Sequence, residues 1–160
     1  MCVDDCDAGR NPRERRRTGH ASRTRSLLVA GYSAPMERIG RLGWIQVDCA
    51  DPVRLATFWS QVLGTEIDRP WFGDPPHYVG LIPLEAGQPV LTFHRVPEAK
   101  TTKNRLHLDV AVDEVEAATT RVVGLGGGRS PAADVSEYGF HWRVMLDPEG
   151  NEFCLIHSLQ

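Results

Sequence analysis

No unbroken apolar run in this 160-residue sequence exceeds the four residues of "LLVA" at 27–30. A helical membrane span needs roughly 20, so no membrane role through such a span is expected. Cysteine is scarce: there are four, at Cys2, Cys6, Cys49 and Cys154. Two lie in a polar N-terminal stretch and two inside alternating apolar segments. That distribution excludes the dense disulfide framework of a small secreted domain and makes a cytoplasmic, reducing location the expectation. Cys2 and Cys6 have no second Cys/His pair beside them, so no zinc site is expected there. An excess of positive charge is missing too: the net charge is −3. Residues 1–35 carry seven Arg against four Asp/Glu, a balance of +3, and the remainder carries −6. An acidic body gives no reason to expect a nucleic-acid partner.

What is present fits one soluble domain of ordinary make-up, with 41% hydrophobic and 24% charged residues. Residues 1–35 show no hydrophobic period and are rich in Arg, Ser, Gly and Pro, the composition of a disordered, solvated arm. "RERRR" at 13–17 reads as part of that arm, and the apolar stretch after it is too short for an export signal. Met36 opens "MERIGRLGWIQVD", a natural start for the folded domain, 36–160.

From Gly40 the chain follows one plan twice. Ile45, Val47 and Cys49 alternate with Trp44, Gln46 and Asp48, the period of a strand with two unlike faces. Asp51-Pro52 then supplies an N-cap and a proline at the first helical position. Leu55, Phe58, Trp59, Val62 and Leu63 make an apolar helical stripe, closed by Gly64. Short strands are expected near 65–69, 78–83 and 89–95. The second pass opens with Leu106, Leu108, Val110 and Val112 opposite His107, Asp109 and Ala111. Asp113 and Glu116 have the spacing of a capping box, and Val115, Ala118, Val122 and Leu125 form the stripe before "GLGGG". Strands are expected near 128–133, 141–146 and 151–157, the last two joined by "DPEGN". The fold expectation is therefore α+β: two βαβββ modules, about 40–100 and about 104–158.

One helix covers only one face of each sheet. The apolar positions belong under the helices, so Trp44, Gln46, Asp48, His107 and Asp109 face the other way. If the sheets curl toward each other, those residues line a cleft suited to a small molecule.

"CADPVRLATFWSQVLG", "KNRLHLDVAVDEVEA" and "DPEGNEFCLIH", in this order, resemble the vicinal oxygen chelate superfamily. The resemblance is to its glyoxalase-like branch, with the bleomycin-resistance proteins and extradiol dioxygenases, and spans roughly Arg41 to His157. It implies a U-shaped mixed sheet from the paired modules, helices on the outer face, and often a homodimer. Metal-dependent members hold a divalent ion (Zn, Ni, Mn or Fe) with a His or Gln on each module's first strand and a Glu or His on each last strand. Carried over, these positions fall on Trp44, with Gln46 as neighbour; on Thr92, with His94 as neighbour; on His107; and on Cys154.

Alternatives remain open at these residues. His107 is a metal ligand, a cleft-lining acid–base group, or a structural histidine; its ordinary pKa near 6.5 suits proton transfer. Asp109 on the same face would orient it. Gln46 and Asp48 either meet a ligand or satisfy each other across strands. His94 is a site residue or a strand-end surface residue. Cys154 is a buried small hydrophobe, a nucleophile or a ligand. Trp44 stacks a planar ligand or packs in the core. Trp142 in "YGFHWRVML" is open to either face. Lys103 and Arg105 are a solvated pair or anchors for an anion. The reading favoured is a binding cleft for a small, aromatic or oxygen-rich molecule. The alternative is a metal-dependent lyase, isomerase or dioxygenase acting on vicinal oxygens. "VGLGGGR" follows a helix instead of preceding one, so no nucleotide-binding loop is expected.

Overall fold

The computed structural model describes residues 39–69 and 73–159. The expectations for the Arg-rich arm, Cys2 and Cys6 lie outside the described residues. No described helix is long and apolar enough to cross a membrane.

The first module runs β1 (Trp44–Cys49), α1 (Pro52–Leu63), β2 (Tyr78–Gly80), β3 (Val90–Arg95). The second runs β4 (Asp109–Ala111), α2 (Val115–Gly124), β5 (Gly128–Arg129), β6 (Val135–Glu137), β7 (Phe140–Leu146), β8 (Glu152–Ser158). Strand orders are β1-β3-β2 and β4-β8-β7-β5, with β6 added against β7. In each module the first strand pairs in parallel with the last, and the last pairs antiparallel with its predecessor. The repeat read from the sequence is thus a repeat of topology. The α+β expectation stands, with the strands distributed over two mixed sheets.

The α1 boundaries follow from its end residues. Asp51 Oδ1 accepts from the N–H groups of Val53 and Arg54, and Gly64 closes the helix at φ 68°. Leu55, Phe58 and Trp59 are buried on its inner face. Phe58, Trp59 and Phe153 of β8 form a three-ring cluster with centroids 5.7, 6.1 and 4.9 Å apart. Such pairs add about 0.5–1.5 kcal/mol each beyond burial, and here they tie α1 to the second module's sheet.

Several local expectations need correction. No capping box forms at α2: its N-cap is Glu114 with no side-chain bond, because Glu116 is drawn to Arg143 at 2.7 Å. The strand expected at 65–69 reduces to one bridge, Ile67 to Leu81. The one at 128–133 shortens to Gly128–Arg129, before Pro131, which has no N–H to give a ladder. Leu106, expected beneath a helix, is 69% exposed, since β4 begins only at Asp109. The β6–β7 hairpin was not anticipated. Its two-residue turn, Tyr138-Gly139, has φ of 52° and 79°, matching the twist that tight hairpins require.

A second network is buried beneath α2. Arg143, 6% exposed, donates two hydrogen bonds to Asp134, at 2.9 and 2.6 Å, and also reaches Glu116 and Thr119. Those bonds hold the Asp134 carboxyl below its usual range. A charge buried this deeply is tolerated because it is fully partnered.

Candidate functional site

Strand pairing decides which sequence-predicted residues meet. On β1 and β3, Asp48 pairs with His94 and Gln46 with Thr92. On β4 and β8, Asp109 pairs with Cys154. Matching Asp48 to Asp109 makes Gln46, two residues earlier, the counterpart of His107, and makes His94 the counterpart of Cys154. The first-module position carried over to Trp44 therefore shifts by two residues, to Gln46. Trp44 itself pairs with Val90 and is 61% exposed. Thr92 is buried, its hydroxyl donating to the Ile45 carbonyl.

Each module thus carries a trio on the sheet face away from the helices. In the first, the Asp48 carboxylate lies 3.2 Å from His94 Nδ1, with the Gln46 amide 3.5 Å from the same nitrogen. A carboxylate only accepts, so a hydrogen bond between the two has the imidazole as donor. Tyr78 stacks flat on the His94 ring, 4.3 Å between centroids.

In the second module, His107 Nε2 lies 3.4 Å from Asp109 Oδ1. His107, Asp109 and Cys154 each offer one ligand atom, and the three atoms lie within 4.8 Å of one another. Burial and then the adjacent Asp109 carboxylate push the Cys154 thiol up to about 11; exposed Lys103 opposes this slightly. The thiol is therefore protonated at neutral pH beside the Asp109 carboxylate. Cys49 is likewise pushed up, to about 12, chiefly by burial.

This trio opens on a concave surface of about 310 Å³ whose remaining walls are Trp142 and Ile156. Trp142 pairs with Ile156 across β7 and β8, which places both on the Cys154 side. Its neighbours Arg143 and Met145 point to the opposite face of β7, where they are buried beneath α2.

The two trios do not form one cluster. Between them lies a crevice of about 170 Å³, with Gln46 on one side and His107 on the other. Its inner end holds Asp147, 4% exposed, whose carboxyl burial pushes upward. Asp147 accepts from the N–H groups of Glu149 and Asn151, from the Asn151 amide and from Trp59 Nε1. Those four bonds saturate its oxygens, so Asp147 organises the β7–β8 turn and has no capacity left for a ligand. Sequence reasoning saw "DPEGN" only as a turn and missed this anchor.

The donor set fits a divalent metal. Zinc bonds of about 2.0–2.3 Å place tetrahedral donors about 3.3–3.8 Å apart. His107 and Asp109 already meet that spacing, and Cys154 needs a shift of about 1 Å to join them. Imidazole, carboxylate and thiol together suit zinc and its first-row neighbours.

A model of the "glyoxalase-like domain" family matches residues 44–156. Among solved structures, the chain is similar to a glyoxalase/bleomycin resistance protein/dioxygenase family enzyme from Burkholderia phytofirmans. The identity is 22% and the TM-score 0.57, over 75% of this chain and 100% of that one. A glyoxalase-related enzyme from Fulvimarina pelagi matches at 20% identity and TM-score 0.55, over 74% and 88%. A glyoxalase family protein from Bacillus cereus matches at 11% and 0.59, over 80% and 100%. At these identities the likeness speaks for the fold. No curated protein matches the sequence.

Proposed function

The chain belongs to the glyoxalase-like domain family of the vicinal oxygen chelate superfamily, and from that premise we propose that it binds a small, aromatic or oxygen-rich molecule on the β4–β8–β7 face. The observation that carries this reading is the composition of the concave surface there. Apolar walls from Trp142 and Ile156 stand beside the convergent polar atoms of His107, Asp109 and Cys154. That mix of apolar area with a few fixed polar groups is how small-molecule sites bind and orient their ligands. Trp142 supplies a planar surface for a ring. His107, oriented by Asp109, is the group positioned to exchange a proton with a ligand hydroxyl.

A second reading rests on the three donor atoms within 4.8 Å. In it, His107, Asp109 and Cys154 hold a divalent metal and the protein is a lyase, isomerase or dioxygenase acting on vicinal oxygens. Bound there, the metal would polarise ligand oxygens as a Lewis acid. Cys154 would have to release its proton to bind, making metal affinity rise with pH.

The test uses the full chain, stripped of metal and titrated with catechol, while tryptophan fluorescence is followed in the wild type, Trp142→Phe and His107→Ala. Saturable quenching that disappears in Trp142→Phe and weakens in His107→Ala supports the binding site. Absence of any saturable change in the wild type refutes it. Parallel titrations with Zn, Ni, Mn and Fe(II) decide the second reading. One tight equivalent, lost in both His107→Ala and Cys154→Ser, establishes the metal site, and no binding removes it.

A further inference from the structure

His141 of β7 and His157 of β8 belong to neither trio. They stand directly opposite each other in the antiparallel ladder. Alternation along β8 puts Cys154 and Ile156 on the face away from the helices, so His157 shares the other face with Phe153 and Leu155. By the same count along β7, His141 falls with Arg143 and Met145. The pair therefore sits back to back with Trp142 and Ile156, across the thickness of one sheet. On this face α2 covers Arg143, which meets Glu116 in the helix's first turn. One step further along the strands, His141 and His157 are only half-buried.

Each ring is held at the same nitrogen. His157 Nδ1 lies 3.1 Å from the Val112 carbonyl, which only accepts, so the ring donates there. His141 Nδ1 lies 2.8 Å from the Ser136 hydroxyl, which can accept from it. In a neutral ring of that tautomer Nε2 holds the lone pair, and neither Nε2 has a hydrogen-bond partner among the described residues. One histidine tied to a carbonyl is a satisfied strand residue. Two of them, opposite across a ladder with both Nε2 atoms unused, have the layout of a chelate. An Nδ1–H bonded to a carbonyl is also how metal-ligating imidazoles are commonly oriented. Directly opposite residues have Cβ atoms about 4.5–5.5 Å apart, and two nitrogens on one zinc ion lie about 3.3 Å apart. Rotation about the side-chain torsions closes that difference.

We infer that His141 and His157 form a metal site of their own, holding one imidazole-preferring divalent ion (zinc, nickel or copper) through both Nε2 atoms. The described residues gather no third His, Cys, Asp or Glu donor at this point, so water fills the remaining positions. The site lies on the opposite face of the sheet from His107, Asp109 and Cys154 and shares no residue with them. An ion bound there staples β7 to β8 behind the strand positions that carry Trp142 and Ile156. The inference goes beyond the proposed function and is tested separately from it.

The experiment is imidazole nitrogen NMR on the full chain titrated with zinc chloride. Its readout is residue by residue, so zinc taken up at His107 moves a different ring. The Nε2 signals of His141 and His157 are expected to shift together and to saturate with one ion, while both Nδ1 atoms stay protonated. The same shifts persist in His107→Ala. His141→Gln and His157→Gln each weaken this binding by about tenfold or more. Ser136→Ala, which removes only the orienting hydroxyl, weakens it by up to about tenfold. The absence of saturable shifts at the two rings overturns the inference, as does a response from one ring alone. Unchanged affinity in either glutamine variant overturns it too. Shifts confined to His107 overturn it while supporting a metal at the His107 trio.

Discussion

Glu149 supplies the sharpest test of how the modules are joined. It sits in the β7–β8 turn of the second module, yet its carboxylate accepts from the backbone N–H groups of Ala50 at 2.7 Å and Asp51 at 2.8 Å. Those amides belong to the first module and immediately precede α1, where the helix dipole favours negative charge. Hydrogen bonds to a charged group contribute about 1.5–3 kcal/mol each when shielded. Ala50 and Asp51 are exposed, so water replaces part of what is lost and solvent screens the charge. About 1 kcal/mol per bond, or about 2 kcal/mol for Glu149→Ala, is the working figure. For a domain of this size that lowers the midpoint of thermal unfolding by about 4–8 °C. Glu149→Gln keeps one acceptor but turns an N–H₂ toward the second amide, so it should lose more than half as much. Glu149→Asp, one methylene shorter, should resemble alanine. Glu85 in the β2–β3 turn is the control: its side chain is exposed and, among the described residues, meets Gln88, so Glu85→Ala should stay within about 0.5 kcal/mol of wild type. Thermal unfolding followed by circular dichroism measures all four variants. A midpoint for Glu149→Ala within about 1 °C of wild type, well inside the shift expected, would refute the clamp.

Three further outcomes are expected. Asp134→Asn should cost roughly 3 kcal/mol in denaturant unfolding, because it strips the buried Arg143 of its main partner. The pH dependence has a definite sign: with its folded pKa depressed by Arg143, Asp134 contributes fully above the unfolded value of about 4 and loses that contribution as pH falls toward the folded value. This acid-limb component should vanish in the asparagine variant. Cys154, with its thiol near 11, should react far more slowly than an ordinary thiol in peptide-resolved labelling at mildly alkaline pH. Asp109→Asn should speed it, since the carboxylate opposes the thiolate; an unchanged rate would contradict the contact. Gly127→Ala should destabilise by about 1–3 kcal/mol, because an added Cβ would lie 2.8 Å from the Leu146 carbonyl oxygen and 2.8 Å from Val122. A neutral result in unfolding experiments would show that the packing yields there.

The sequence alone determined whatever depends on neighbours along the chain. α1 was legible from end to end, because Asp51, Pro52, Gly64 and the stripe between them act within a few residues of one another. The repeat was legible because "IQVD" and "LHLD" keep the same period, and the motifs pointed to the family. What the tertiary structure decided depends on partners in other elements. The shared period sets Gln46 against His107, but only the pairing of β1 with β3 and β4 with β8 shows that His94 corresponds to Cys154, since a register cannot be counted through turns of unequal length. Only the β7–β8 pairing sets Trp142 beside Ile156. Arg143 read as an ordinary strand position until Asp134, Glu116 and Thr119 closed around it. Glu116 left its capping role because a buried guanidinium offers a carboxylate a stronger bond than an exposed helix end. Local propensity sets where elements start and stop, whereas burial of charge and strand register are settled by the whole fold.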